Sequence, residues 1–157
     1  MTVFVVYGPP CSGKSTFAKD NMSDEDILYD YDKLIKATST REYHEIEKGA
    51  SHDLVMSFRR RFCEKIRDLP ASSNAYLLTR WPSDYLMGLL ADYQKEVVPM
   101  NTSLDECLDR LKADDDRPDK VGWEEIIREW FNEHDYNYGA AIDDPTSHAK
   151  EAKKCTM

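Results

Sequence analysis

The chain has 157 residues, a length typical of one domain, and carries 30 acidic against 21 basic side chains, which gives a net charge of −9 at pH 7. This charge disfavours non-specific binding to nucleic acid or to an anionic membrane, but it leaves room for a local basic patch that grips one phosphate. The longest N-terminal apolar run is too short for a membrane span, and four scattered cysteines without a Cys-x-x-Cys pair predict reduced thiols in a cytoplasmic protein.

Strands and helices are predicted to alternate along the first half of the chain. Residues 2–7 form a continuous apolar, β-branched run, which is typical of a strand buried on both faces. A helix is expected over 14–21 and a second, short strand over 27–30. A polar stretch, 36–49, then precedes a helix over about 51–67. The predicted core stripe of that helix consists of Leu54, Val55, Phe58, Phe62 and Ile66.

The second half continues the alternation. A third strand is expected over 75–79, a helix over 82–93 and a fourth strand over 96–100, in which Pro99 indicates either an edge strand or the end of the strand. Ser103 and Glu106 have the spacing of a capping box, which predicts the start of another helix.

The last predicted helix is amphipathic and follows a polar run over 113–121. Its aromatic residues, Trp123, Trp130 and Phe131, are interpreted as core rather than as a platform for a nucleobase. Apolar content then falls, so residues 1–136 are predicted to form the domain and residues 137–157 a partly disordered tail.

The first strand is followed by a phosphate-binding motif. Residues 8–15, Gly-Pro-Pro-Cys-Ser-Gly-Lys-Ser, match the pattern G-x-x-x-x-G-K-S/T. Glycines let successive N–H groups converge on an anion, and the helix that follows adds its positive end. Lys14 is expected to reach the β- and γ-phosphates of ATP and Ser15 to ligate Mg²⁺. The predicted nucleotide-binding residues are Gly8, Cys11, Ser12, Gly13, Lys14, Ser15 and Thr16.

Together with the alternating elements, this motif predicts an α/β fold, the three-layer sandwich of the P-loop NTPases. Its sheet is expected to be mainly parallel, with four to five strands and a helical insertion between strands two and three. Ligands in such sheets bind at the carboxyl ends of the strands.

Two carboxylates follow the second strand. Phosphoryl transfer needs a carboxylate that orients or deprotonates the attacking hydroxyl, and Asp30 is favoured for that role because it stands at the end of the strand. Asp32 is the alternative base and a candidate substrate contact, and either aspartate is also suited to cap the next helix. Lys33 is a candidate for neutralising an acceptor phosphate.

The third strand ends without the acidic residue that usually supports Mg²⁺ there. Arg80 is instead a candidate for binding a substrate phosphate, and the competing interpretation is a surface arginine stacked on Trp81.

A polar segment between the last two helices is a candidate lid. Residues 110–121 contain Arg110 and Arg117, which are suited to stabilise charge on the transferring phosphoryl group. The competing interpretation is a solvated loop with ion pairs to Asp114, Asp115 and Asp116. Three consecutive helical residues lie on different faces, so at most one or two of the arginines at 59–61 can face a ligand, and a solvated helix face is the favoured interpretation.

These motifs together resemble the small P-loop kinases of the bacteriophage polynucleotide 5′-kinase and zeta-toxin type, most of all phage-encoded chains described as AAA-family ATPases. The resemblance covers about residues 2–134. It implies Mg-ATP as the phosphoryl donor, Asp30 as the general base, a phosphate contact at Lys33, and lid arginines at Arg117 and Arg110.

The expected function is therefore ATP-dependent phosphoryl transfer to a nucleoside, a nucleotide or a nucleic-acid 5′ end. The alternative is an NTP-binding ATPase or switch that acts through a protein partner. The acceptor, the preference for ATP or GTP and the oligomeric state stay open.

Overall fold

A computed structural model describes residues 1–46 and 49–134. The elements in chain order are β1 (Val3–Tyr7), α1 (Lys14–Asn21), β2 (Ile27–Tyr29), α2 (Tyr31–Ala37), α3 (Gly49–Lys65), a 3₁₀ turn (Ile66–Asp68), β3 (Ala75–Thr79), α4 (Asp84–Leu89), β4 (Lys95–Pro99), α5 (Leu104–Ala113) and α6 (Lys120–His134). The predicted tail, 137–157, lies outside the described residues.

The four described strands form one parallel sheet in the order β2-β3-β1-β4. Strand β1 lies inside the sheet, as its apolar run predicts. Strand β4 is an edge, where Pro99 pairs with Tyr7 and its missing N–H costs no ladder hydrogen bond on the open side. The predicted parallel α/β sheet with a helical insertion between β2 and β3 is confirmed.

Alternate side chains of β1 build two separate cores. Val3 and Val5 are fully buried against the insertion helices and α4, whereas Val6 packs with Ala18 of α1 on the other face. A third cluster joins α5 to α6. This arrangement is the predicted sandwich, with helices on both faces of a central sheet.

The orientation of α3 differs from the prediction. Leu54 and Phe58 are 45% and 39% exposed, while Val55, Cys63 and Ile66 bury the helix and the following turn against the sheet. The expected core stripe is therefore correct at Val55, Phe62 and Ile66 and wrong at Leu54 and Phe58. The reason is that two sides of α3 are in use. One side packs against the sheet, and the other lines a cavity through His52, Met56 and Arg59.

Helix α4 is shorter than the predicted 82–93. The Ser83 hydroxyl accepts a hydrogen bond from the Leu86 N–H at 3.4 Å and caps the helix, so Pro82 lies before the helix instead of in its first turn. The predicted capping box of α5 is present, with Ser103 and Glu106 exchanging hydrogen bonds. Among the described residues, no helix combines the length and apolar character that crossing a bilayer requires.

Candidate active site

A cavity of about 980 Å³ opens where the strands end at their carboxyl side. One wall is the loop and helix start at residues 10–17, and the opposite wall comes from α2, α3 and the residues after β3. Arg110 and Arg117 lie at its edge. The volume is at the upper end of the range for small-molecule sites, so it can hold a nucleotide with a small second molecule.

The P-loop has the geometry that binds an anion. The first hydrogen bond of α1 runs from the Phe17 N–H to the Gly13 carbonyl, at 2.9 Å. The N–H groups of residues 14–16 precede that bond, so they have no partner inside the helix. Gly13 adopts a left-handed φ of 94° and Cys11 one of 62°, which turns the chain into the helix.

Close packing explains the two glycines of the motif. A Cβ at Gly8 would stand 2.9 Å from Met100 Cβ and 2.9 Å from Ser12 Oγ, and one at Gly13 would stand 3.3 Å from Arg110 Nη1. The buried Thr102 donates to the Ser12 carbonyl at 2.8 Å and fixes the loop from behind. This support was not predicted, although a threonine just after a strand end was a usable signal.

Lys14 folds back over the P-loop. Its ammonium group donates to the carbonyls of Gly8 at 2.8 Å and Pro9 at 2.7 Å. Burial lowers the pKa of Lys14 to about 8; Asp32 opposes this shift, while Arg80 and Arg117 reinforce it. Positive charge is therefore concentrated in the cavity by Lys14, Arg80 and Arg117, as a site for a polyanion requires.

Asp30 caps α2 with one carboxylate oxygen and contacts the P-loop with the other. Its Oδ1 accepts from the N–H groups of Asp32 at 3.1 Å and Lys33 at 3.4 Å, which caps α2. Its Oδ2 accepts from the Ser15 hydroxyl at 2.8 Å. Asp30 is 5% exposed, whereas Ser15 is exposed, so the hydrogen bond joins a buried carboxylate after β2 to a P-loop hydroxyl that faces solvent.

Lys33 is not brought to the cavity. Its side chain is exposed on the first turn of α2 and is not part of the cavity wall, so only its N–H takes part in the site. The expected contact with an acceptor phosphate has no counterpart in this arrangement. The reason is the geometry of the helix, in which each residue is rotated by about 100° from the one before it, so Lys33 points away from Asp32.

Both arginines of the predicted lid line the cavity. Arg117 is 12% exposed; its Nη1 pairs with Asp114, and its Nη2 lies 3.6 Å from Asp32 Oδ2. Its guanidinium carbon stands 4.9 Å from the ring centre of the buried Trp123. Arg110 Nη1 donates to the Cys11 carbonyl at 3.3 Å.

The non-helical part of the predicted lid is only residues 114–119, because α5 ends at Ala113 and α6 begins at Lys120. The loop is tied to the segment after α2. The His44 N–H donates to the Asp116 carbonyl at 2.7 Å, and Lys36 Nζ pairs with the Asp116 carboxylate at 3.0 Å. His44 Nε2 also lies 3.7 Å from Asp32, a contact that no sequence pattern predicted.

The opposite wall contains residues that sequence reasoning missed. Tyr31 Oη and His52 Nδ1 share a hydrogen bond of 2.8 Å. Met56 and Arg59 follow His52 along the same face of α3. Arg80, at the end of β3, lines the cavity as predicted and remains exposed, while Trp81 stacks on His134 instead.

The donors at the P-loop end suit Mg²⁺. The Ser15 hydroxyl offers a hard oxygen atom, and Mg²⁺ is commonly held by one or two protein groups together with phosphates and several waters. Over residues 1–46 and 49–134, no group of three or more His, Cys, Asp or Glu side chains is placed to hold a metal by itself. The residues therefore fit a metal ion that arrives with the nucleotide.

Several solved structures share this architecture. A chain of the Pnkp1/Rnl/Hen1 RNA repair complex superposes with a TM-score of 0.63 at 12% identity, over 87% of this chain and 46% of that chain. The present chain thus spans about half the length of that relative. Shikimate kinase from Acinetobacter baumannii gives a TM-score of 0.53 at 16% identity over 98% and 94% of the two chains. The tunicamycin resistance protein of Deinococcus radiodurans gives 0.55 at 15% over 96% and 92%.

The chain has the P-loop kinase fold. No protein-family model matches the sequence, and no curated protein matches it either. At these identities the likeness extends to the fold, and the chemistry has to be argued from the residues of the cavity.

Proposed function

We propose that the chain is an Mg-ATP-dependent phosphotransferase that acts on a hydroxyl group of a nucleoside, a nucleotide or a nucleic-acid 5′ end. The observation that carries the proposal is the 2.8 Å hydrogen bond between Ser15 and Asp30. It joins a P-loop hydroxyl to a carboxylate that lines the same cavity, whose opposite wall is built by α2, α3 and the residues after β3. A protein that only bound nucleotide would need the P-loop but not that opposite wall.

The P-loop wall holds the donor. The free N–H groups at the start of α1 and the Lys14 ammonium bind the β- and γ-phosphates, and Ser15 is the protein ligand of the metal ion. A bound Mg²⁺ ion supplies positive charge that offsets the charge developing on the phosphate oxygens. Lys14 leaves the carbonyls of Gly8 and Pro9 to do so, and its half-buried position makes the new ion pairs strong.

Asp30 is the proposed base. The acceptor oxygen attacks the γ-phosphorus while its proton passes to Asp30 Oδ2; the bond to the bridging oxygen breaks, and ADP leaves. Asp30 Oδ1 remains with the N–H groups of α2, which keeps the carboxylate aimed at the cavity. Asp32 is the second candidate, because its side chain lines the same cavity and is 41% exposed.

Arg117 and Arg110 are proposed to stabilise the charge on the transferring phosphoryl group. Arg117 is held at the cavity edge by Asp32 and Asp114, so it has to exchange at least one carboxylate for a phosphate oxygen. Stacking on Trp123 keeps the guanidinium in place during that exchange.

A second candidate function is a nucleotide-dependent switch that acts through a protein partner. The observation that favours it is the exposed apolar pair Leu54 and Phe58 on α3, the helix whose next face lines the cavity. Such a protein would bind nucleotide tightly, hydrolyse it slowly and transfer no phosphoryl group to a small acceptor or an oligonucleotide.

The test is transfer from γ-labelled ATP with Mg²⁺ to nucleosides, nucleoside monophosphates and 5′-hydroxyl oligonucleotides. We expect a labelled product with at least one of these classes, and Lys14→Ala to lower its rate by about 10³-fold with the thermal melt unchanged. ADP formation that no acceptor accelerates would leave the switch as the surviving function. Unchanged turnover of Lys14→Ala would remove the P-loop from the mechanism.

A further inference from the structure

One arginine of the triplet at 59–61 differs from its neighbours. Arg60 and Arg61 are 68% and 66% exposed at their side chains, and each pairs with Glu64 at 3.1 Å. Arg59 is partly buried against the cavity and has no ion pair or hydrogen bond with any residue in the described part of the chain. Its positive charge is therefore available to bind an anionic group inside the cavity.

Arg80 is a second cation of the cavity wall, although it is more exposed than Arg59. Its side chain has no ion-pair partner among residues 1–46 and 49–134. It follows β3 and lines the cavity together with Lys14 of the P-loop and Tyr31 of α2. Guanidinium groups left unpaired in a cavity wall are typical of sites for carboxylate or phosphate, which they bind through paired N–H groups.

The surface around Arg59 suits a small molecule. His52, Met56 and Arg59 occupy positions i, i+4 and i+7 of α3 and so share one face. The hydrogen bond and edge-on ring contact between Tyr31 and His52 hold the aromatic part of this wall rigid. The wall thus offers the cation of Arg59, the polar pair Tyr31–His52 and the flexible apolar side chain of Met56. Together these groups can hold a ring or a short chain that carries a single anionic group.

We propose that the phosphoryl acceptor is a small anionic alcohol, whose phosphate or carboxylate is bound by Arg59 and Arg80 while its hydroxyl faces Asp30 and Asp32. This inference rests on the proposed phosphotransferase function, since it names the acceptor of the same site. A nucleic-acid strand end fits less well. It would need further cations for successive phosphates, and the next two arginines of α3 lie outside the cavity wall and share an ion pair with Glu64.

The first arm of the test compares matched acceptors in label transfer from Mg-ATP. Nucleosides are paired with their 5′-monophosphates, hydroxy acids with their amides, and a 5′-hydroxyl oligonucleotide is added. We expect transfer to the anionic member of a pair only. Arg59→Gln should raise the KM for that acceptor about 10- to 100-fold without changing the KM for ATP. Arg60→Gln is the matched control and should change neither value.

Transfer to neutral and anionic members alike, or to the oligonucleotide alone, overturns the inference and leaves the kinase function standing. So does an Arg59→Gln variant with an unchanged KM for the acceptor.

The second arm measures binding, so that it does not depend on turnover. Inorganic phosphate is titrated by calorimetry into the protein with Mg²⁺, with and without a non-hydrolysable ATP analogue that fills the P-loop. We expect a phosphate site that survives the analogue, weakens at least tenfold in Arg59→Gln and is unchanged in Arg60→Gln. The lack of such a site overturns the inference whatever the transfer assay shows. A site that depends on Arg59 in a protein that labels no acceptor counts against the kinase function alone.

Discussion

The two walls of the cavity are built by different means. The P-loop wall is one continuous segment, residues 10–17, and it works mainly through backbone N–H groups and one lysine. The opposite wall gathers Tyr31, His52, Arg59 and Arg80 from α2, α3 and the end of β3, and it works through side chains. Backbone groups are the same for every sequence that adopts the loop. In the proposed function, the first wall binds the phosphoryl donor and the second binds the acceptor.

The aspartates after β2 stand where the two walls meet. Asp30 is joined to the P-loop through Ser15, whereas Asp32 belongs to α2 of the opposite wall and lies near His44 and Arg117. Which of the two aspartates takes the proton therefore shows which wall carries the proton transfer.

The largest expected effect in this comparison comes from Asp30→Asn. Loss of a general base lowers kcat by about 10²- to 10⁴-fold, while the binding of ATP should persist because the cradle is intact. An asparagine caps a helix about as well as an aspartate, so α2 and the thermal melt should be preserved. Single-turnover label transfer and calorimetry with Mg-ATP measure the two quantities.

Asp32→Asn is the matched variant and should lower kcat by no more than about tenfold, since no backbone N–H within the described part of the chain donates to Asp32, whereas two donate to Asp30. The reverse order of the two effects would move the base to the opposite wall and break the division of labour proposed for the cavity.

The same division explains what the sequence could predict. Local patterns predicted β1, the P-loop helix α1, the edge position of Pro99 and the capping box of α5, because each depends on residues close together in the chain. The phase of α3 could not be predicted, since Phe58 and Val55 are equally apolar and only contact with the sheet decides that Val55 is buried. Arg59 and His44 were missed for that reason too: their positions depend on how α3 and the segment after α2 pack.

The next largest effect is expected from Arg117→Gln. Removing a cation that stabilises the transferring phosphoryl group should lower kcat by about 10- to 100-fold and leave the KM for ATP nearly unchanged. Lys112→Gln is the control, because Lys112 lies near the same loop but is 75% exposed and pairs only with Asp109 among the described residues. A variant with normal kcat and a lower melting temperature would show that Arg117 only ties the loop to Asp32 and Asp114.

The smallest expected effect concerns Lys14 and tests whether the two walls are coupled by charge. Burial, with help from Arg80 and Arg117, lowers the pKa of Lys14 to about 8. At about pH 9 most free protein therefore carries a neutral Lys14, and the bound phosphates raise its pKa again. Mg-ATP binding at that pH should take up as much as about one proton, whereas at about pH 7 Lys14 is already charged and contributes no uptake.

Calorimetry in buffers of different ionisation enthalpy measures this uptake, and Lys14→Met should abolish it. Arg80→Gln should reduce it, because removing a repelling cation raises the pKa of free Lys14 towards its ordinary value. Equal uptake in wild type and Arg80→Gln would mean that Arg80 does not lower the lysine pKa, which burial and Arg117 then depress without it. The acceptor wall would then select its ligand without influencing the donor site, and the two walls would be electrostatically independent as well as separately built.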